Sequence, residues 1–145
     1  MPDELNINRI TVIIPIYNEY EGIPFLVQSL NAFFREYPQL IPEVIFVNDG
    51  SKDRSAERLL ETKHEGYKAK LISLSRNFGS HAALRAGISI ATGDFICFNY
   101  ADLQDPLELI VQMAGKTKEG SDIIWAHRES TKVSFGEKTF SSVDA

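Results

Sequence analysis

Asp102 and Gln104 lie two residues apart just after the apolar run Phe95-Ile96-Cys97-Phe98, a spacing that turns both side chains to one side of an extended segment. A carboxylate and an amide carbonyl are hard oxygen donors, the kind that favours Mg2+ or Mn2+. Three other polar segments also follow apolar runs: Tyr17-Asn18-Glu19, Asn48-Asp49-Gly50-Ser51 and Arg76-Asn77-Phe78-Gly79. Glu19 and Asp49 can accept hydrogen bonds from ribose hydroxyls or a base N–H, which needs no metal. His81, at the start of a small-residue stretch, lies near a possible phosphate position. Carboxylates gathered on one rim repel one another, and a divalent cation that also binds a diphosphate removes that difficulty.

Plainer structural readings stand beside these. Asp49-Gly50 and Asp53 are common turn and cap residues, and Asp105 reads as a helix cap. A histidine at a helix start, as at His81, is more often solvated or capping than a ligand, and Arg76 can be read simply as an exposed charge, which is the preferred reading of Arg128. Phe25, Phe33 and Phe34 sit at helical spacing and read as core.

The elements that would position these groups alternate regularly. Arg9 to Pro15 is an almost unbroken β-branched run, the pattern of a strand covered on both faces, with Pro15 ending it. Ile23 to Glu36 places Leu26, Leu30, Phe33 and Phe34 on one helical stripe. Pro38 and Pro42 precede a second strand, Glu43 to Asn48, and a polar helix runs over Ala56 to Lys63. A third strand spans Lys70 to Leu74. A small-residue helix then opens at Gly79-Ser80-His81, passes Ile90 and stops at Thr92-Gly93, where Gly93 suits the position after a helix end. Phe95 to Asn99 forms a fourth strand, Asp105-Pro106 opens a helix to about Lys118, and Asp122 to Ala126 is a fifth strand. Such alternation builds a parallel sheet with right-handed crossovers, and ligands bind there outside the carboxyl ends of the strands, where the polar segments fall.

Composition narrows the function. The 145 residues are 43% hydrophobic and 24% charged, enough for one domain with a buried core. A net charge of -5 without a Lys/Arg cluster argues against nucleic acid and against an anionic membrane surface. The single cysteine, Cys97, lies in an apolar run and reads as a buried, unreactive thiol. No signal core and no run of roughly 18 to 20 apolar residues is present, so the chain is expected in the cytoplasm, with membrane contact only through regions outside it. An oligomer is compatible with the sequence. Walker A and G-x-G-x-x-G loops are both absent, which disfavours a dinucleotide-dependent oxidoreductase, and no Ser-His-Asp assignment is supported.

Four ordered segments together carry a resemblance. Val12 to Glu19, Val47 to Asp53, Leu74 to Gly79 and Ala101 to Pro106 resemble family 2 glycosyltransferases of the GT-A fold, especially the branch with dolichol-phosphate mannose synthase and bacterial polyprenyl-phosphate glycosyltransferases. The likeness runs from about Ile10 to Arg128. It implies a Rossmann-like α/β domain over 1–128, mostly parallel with helices on both faces, and an irregular tail over 129–145 leading toward an acceptor region outside this sequence. It implies inverting transfer from a UDP- or GDP-sugar to a polyprenyl phosphate or a growing cell-surface glycan, with Mg2+ or Mn2+, at the cytoplasmic face of a membrane. By position, Pro15, Tyr17 and Glu19 would line the nucleoside pocket with Asn18, Glu19 lying near the ribose. Asp49 would read the base edge with Ser51 beside it, and Arg76, Gly79 and His81 would lie near the phosphates. Asp102 would be the second acid of the Asp-x-Asp metal motif, joined by Gln104. The first acid is replaced by Tyr100, a phenol with a reference pKa of about 10 and so a poor metal ligand at neutral pH. That departure keeps open a non-catalytic nucleotide-sugar-binding or scaffold role. The general base would lie past position 145, so no catalytic residue is assigned.

Overall fold

A computed structural model describes residues 8–117. In chain order the elements are β1 (Arg9–Ile16), α1 (Ile23–Glu36), β2 (Ile41–Asn48), α2 (Ser55–Glu61), β3 (Lys68–Ser73), α3 (Ser80–Ile90), β4 (Phe95–Phe98) and α4 (Glu108–Thr117). All four strands are parallel, in the order β3-β2-β1-β4. The chain divides after Leu107 into two compact units, with the sheet and α1 to α3 in the first and α4 in the second. The expected strand Asp122 to Ala126, Arg128 and the tail over 129–145 lie outside the described residues.

β1 and β2 are central, which is why their β-branched runs do not alternate: Val12, Ile13, Ile14 and Val44 to Val47 are buried on both faces. Right-handed crossovers put α1 and α2 on one face, and the reversed step from β3 to β4 puts α3 on the other. On the α3 face Ile13, Ile45 and Val47 pack with Ala83. Gly87 lets α3 come close there, since a Cβ at that position would stand 2.6 Å from Ile13 Cγ2.

Two prolines thought to bound strands lie inside them, for one geometric reason. In β1, Ile13 turns its carbonyl toward β4, where it accepts from the Asn99 N–H at 3.1 Å. Pro15 turns the same way two residues later, past the end of β4, so its missing N–H interrupts no ladder. Pro42 likewise faces the β3 side, one residue before pairing with β3 begins at Glu43. Gly93 is not a left-handed helix terminator: only Gly50, Gly66 and Gly79 have positive φ among the described glycines. It serves instead where the loop crosses β1, and a Cβ there would lie 2.7 Å from the Ile10 carbonyl carbon. Phe25 is not core. It is 65% exposed, because the buried stripe of α1 runs through Ile23, Leu26, Val27, Leu30, Phe33 and Phe34 and leaves position 25 outside. α4 begins at Glu108, later than Asp105-Pro106 suggested.

At the amino ends of the strands a buried acid ties β1, β2, β3 and the α3–β4 loop together. Glu43 accepts from Thr11 Oγ1 at 2.7 Å and from the Thr92 N–H at 2.6 Å, and pairs with Lys70 Nζ at 2.8 Å. Burial works against its ionisation, but the bonds from Lys70, Thr11 and Thr92 outweigh it and hold the carboxyl at about 2. Because the folded value lies below the unfolded one, this contribution is complete above about pH 4.5 and is lost as pH falls toward about 2. It amounts to on the order of 3 kcal/mol. Urea unfolding followed across that range should show a steeper loss in the wild type than in Glu43→Gln, and parallel curves would refute the ionised network.

Candidate functional site

The strand order reverses between β1 and β4, and a cavity of about 480 Å3 opens there at the carboxyl ends of the strands. That volume falls within the usual range for small-molecule sites. Of the residues singled out in the sequence, Pro15, Tyr17, Glu19, Asp49, Gly79, Asp102 and Gln104 line it. Asn77, Ser80, Tyr100 and Ala101 complete the wall. Asn18, Ser51, Arg76 and His81 are not in that lining.

Asn18 and Ser51 are used between loops. Asn18 stands at φ 51, its Oδ1 accepts from the Lys52 N–H at 2.8 Å, and its own N–H donates to Ser51 Oγ at 3.0 Å. The Glu19 N–H donates to Ser55 Oγ at 2.9 Å and the Tyr20 N–H to Asp53 Oδ2 at 3.2 Å. Short polar side chains after β2 thus satisfy the backbone after β1 and fix where Tyr17 and Glu19 stand. Ser55, wholly buried in this brace, was not singled out from the sequence. Arg76 is exposed, with its guanidinium 4.8 Å over the Phe78 ring, and His81 is exposed in the first turn of α3.

Asp49 and Gly50 hold the segment before α3. Asp49 is buried, and its carboxylate accepts from the Phe78 N–H at 2.8 Å and the Gly79 N–H at 3.1 Å. Gly50, at φ 73, lies so close to that segment that a Cβ would stand 2.3 Å from the Arg76 carbonyl carbon and the Asn77 nitrogen. Asp49 thus clamps the segment before α3, and it lines the cavity as well.

The cavity is electronegative. Partial burial raises the Glu19 carboxyl above its ordinary value, and the nearby charges of Asp102 and Asp53 raise it further. The loop after β4 is a turn and not the extended segment expected: Leu103 has φ 54, its N–H bonds the Tyr100 carbonyl at 3.0 Å, and Asp102 Oδ1 accepts from the Gln104 N–H at 3.2 Å. The turn still leaves both Asp102 and Gln104 on the cavity wall. Among the described residues no three His, Cys, Asp or Glu side chains gather as metal ligands. Asp102 and Gln104, both exposed, still bring two hard oxygen donors to this rim, the ligand type that Mg2+ and Mn2+ favour.

The family model described as glycosyl transferase family 2 matches residues 11–143. The chain belongs to this family. An uncharacterized glycosyltransferase of Synechocystis sp. is 38% identical over 134 residues, covering 92% of this chain and 42% of that protein. This family 2 chain therefore spans less than half the length of that relative. Among solved structures, S. aureus TarS 1-349 is similar at a TM-score of 0.57 and 26% identity, over 72% of this chain and 33% of that one. Mannosyltransferase PcManGT from Pyrobaculum calidifontis, in complex with GDP-Man and Mn2+, is similar at a TM-score of 0.56 and 27% identity, over 68% of this chain and 33% of that one. The parallel sheet with flanking helices is thus the α/β arrangement of GT-A glycosyltransferases. Burial pushes the Cys97 thiol up to about 12, which fits a core residue and not a nucleophile. Among the described residues no helix is long and apolar enough to cross a membrane.

Proposed function

We propose that this chain is the donor-binding part of an inverting glycosyltransferase that takes a UDP- or GDP-sugar. The observation that carries the reading is the cavity at the strand reversal, whose wall combines the loop after β1, Asp49 after β2, the amino end of α3 and the Asp102-Gln104 turn. Tyr17 and Pro15 offer the nucleoside an apolar wall, Glu19 accepts from ribose hydroxyls, and Asp49 reads the base edge while holding the Phe78-Gly79 segment in place. Gly79 and Ser80 present backbone at the start of α3, where an anion is favoured by the helix amino end. A Mg2+ or Mn2+ ion held by Asp102 and Gln104 would stabilise charge on the departing diphosphate. An oxygen of the acceptor attacks the anomeric carbon as the nucleoside diphosphate leaves, and the chain's own residues orient that leaving group.

The family and the GDP-Man and Mn2+ complex of the Pyrobaculum calidifontis relative support this choice of donor and ion. The polyprenyl-phosphate branch, with a lipid-phosphate or glycan acceptor and a role in cell-surface polysaccharide synthesis, rests on the Asp102-Leu103-Gln104-Asp105-Pro106 segment. In this reading residues 1–128 form the nucleotide-sugar domain and 129–145 lead to the acceptor side, all at the cytoplasmic face of a membrane. A second reading, a nucleotide-sugar-binding protein without turnover, is favoured by one observation: Tyr100, and not an acid, stands on the wall beside Asp102.

Calorimetric titration with GDP, UDP and the matching monophosphates, each with and without Mn2+, tests the proposal. One diphosphate should bind more tightly than its monophosphate when Mn2+ is present, by on the order of tenfold, the worth of a charge-assisted contact. Equal affinities with and without the metal would remove the cation from this site.

A further inference from the structure

We infer that the Tyr100 hydroxyl donates a hydrogen bond to the diphosphate of the bound donor, so that a neutral O–H does part of the work of a cation on this rim. The inference rests on the donor-site reading above.

The composition of the cavity wall is the first reason. No Lys, Arg or His lines it among the described residues, while Glu19, Asp49 and Asp102 do. A diphosphate entering such a wall must be met by an added cation or by neutral donors, since a doubly charged group set against unrelieved carboxylates is repelled. The side chains there that donate without a change of charge are Tyr17, Asn77, Ser80, Tyr100 and Gln104. Tyr100 is the donor beside the Asp102-Gln104 turn that would carry the ion, and its carbonyl anchors that turn through the Leu103 N–H at 3.0 Å. Its position relative to the proposed phosphate contacts is therefore set by the same backbone.

The state of the side chain is the second reason. Tyr100 is 50% exposed, which leaves its side chain open to a ligand. Phe98 meets the ring edge-on, with centroids 6.4 Å apart and planes at 86°, and this contact limits its swing. Among the described residues nothing hydrogen-bonds the hydroxyl. An acid at this position would add a third ligand to an ion. A phenol offers its O–H proton to the phosphate instead.

The test is calorimetric titration of the whole chain with GDP and with UDP, in EDTA and in Mn2+, for the wild type, Tyr100→Phe and Tyr100→Asp. The wild type should retain measurable affinity for one diphosphate in EDTA. Tyr100→Phe, which keeps the ring against Phe98, should lose on the order of tenfold in EDTA, the usual worth of a hydrogen bond to a charged acceptor. Tyr100→Asp should bind more weakly still in EDTA and should regain affinity with Mn2+ by a larger factor than the wild type does. Equal affinities of wild type and Tyr100→Phe in EDTA would overturn the role of the hydroxyl while leaving the donor site standing. Wild-type binding that needs Mn2+ entirely would also overturn it. Failure of both diphosphates to bind under any condition would overturn the donor-site reading and this inference together.

Discussion

Gly50→Ala should be the most damaging single-methyl change in the site, lowering stability by about 3 kcal/mol or more and abolishing detectable nucleotide binding. Two independent costs add. The backbone at φ 73 lies in the left-handed region, where a side chain costs roughly 1 to 3 kcal/mol. The new methyl would also stand 2.3 Å from main-chain atoms of Arg76 and Asn77, which unlike a side-chain tip cannot swing away. The segment from Arg76 to Gly79 must therefore shift, and with it Asn77, Gly79 and Ser80 on the cavity wall. Urea unfolding gives the stability, and titration of the variant with GDP and UDP gives the site. Wild-type behaviour in both would mean that the β2 loop and the segment before α3 do not touch as described.

Asp49→Ala attacks the same contact from its polar side. Removing the carboxylate strands the Phe78 and Gly79 N–H groups, which now bond it at 2.8 and 3.1 Å. A buried donor left unpaired costs roughly 1 to 3 kcal/mol, and because these two are only partly buried and water can reach them, a total loss of about 1 to 3 kcal/mol is expected. Nucleotide affinity should fall by on the order of tenfold or more, because Gly79 and Ser80 lose their fixed position. Asp49→Asn keeps one acceptor oxygen and should recover part of the stability. A Asp49→Ala variant as stable as the wild type would contradict the clamp, and one that is destabilised yet binds nucleotide normally would separate the clamp from the site.

Much of the sheet was legible because burial leaves a direct trace in composition. Central strands covered on both faces read as unbroken apolar runs, as in Val12 to Ile14 and Val44 to Val47, and polar residues cluster where those runs stop. The cavity wall followed from the same logic, since Pro15, Tyr17, Glu19, Asp49, Gly79, Asp102 and Gln104 all sit at or just past strand ends. What stayed hidden depends on pairing that a local window does not contain. Pro15 and Pro42 read as breakers until it is known which neighbour each faces and that the neighbour has ended or not begun. Gly93 reads as a helix terminator until its closeness to Ile10 and Thr11 is seen. Asn18 and Ser51 have the side chains of ligand-binding residues and spend them on each other's loops. Glu43 carried a signal that could have been used: a lone acid within a buried apolar strand needs partners, and Thr11, Lys70 and Thr92 supply them from three other segments.

The central claim is that this cavity is where the nucleoside diphosphate of a sugar donor binds. It is tested most directly by following the backbone amide signals of the chain while GDP or UDP is added with Mg2+. The account predicts that the signals of Tyr17, Glu19, Gly79, Ser80, Ala101 and Gln104 move together with one dissociation constant, while those of Thr92 and Gly93 at the opposite end of the sheet stay still. Saturable binding that leaves the cavity signals unmoved and shifts others instead would place the nucleotide elsewhere and contradict the account.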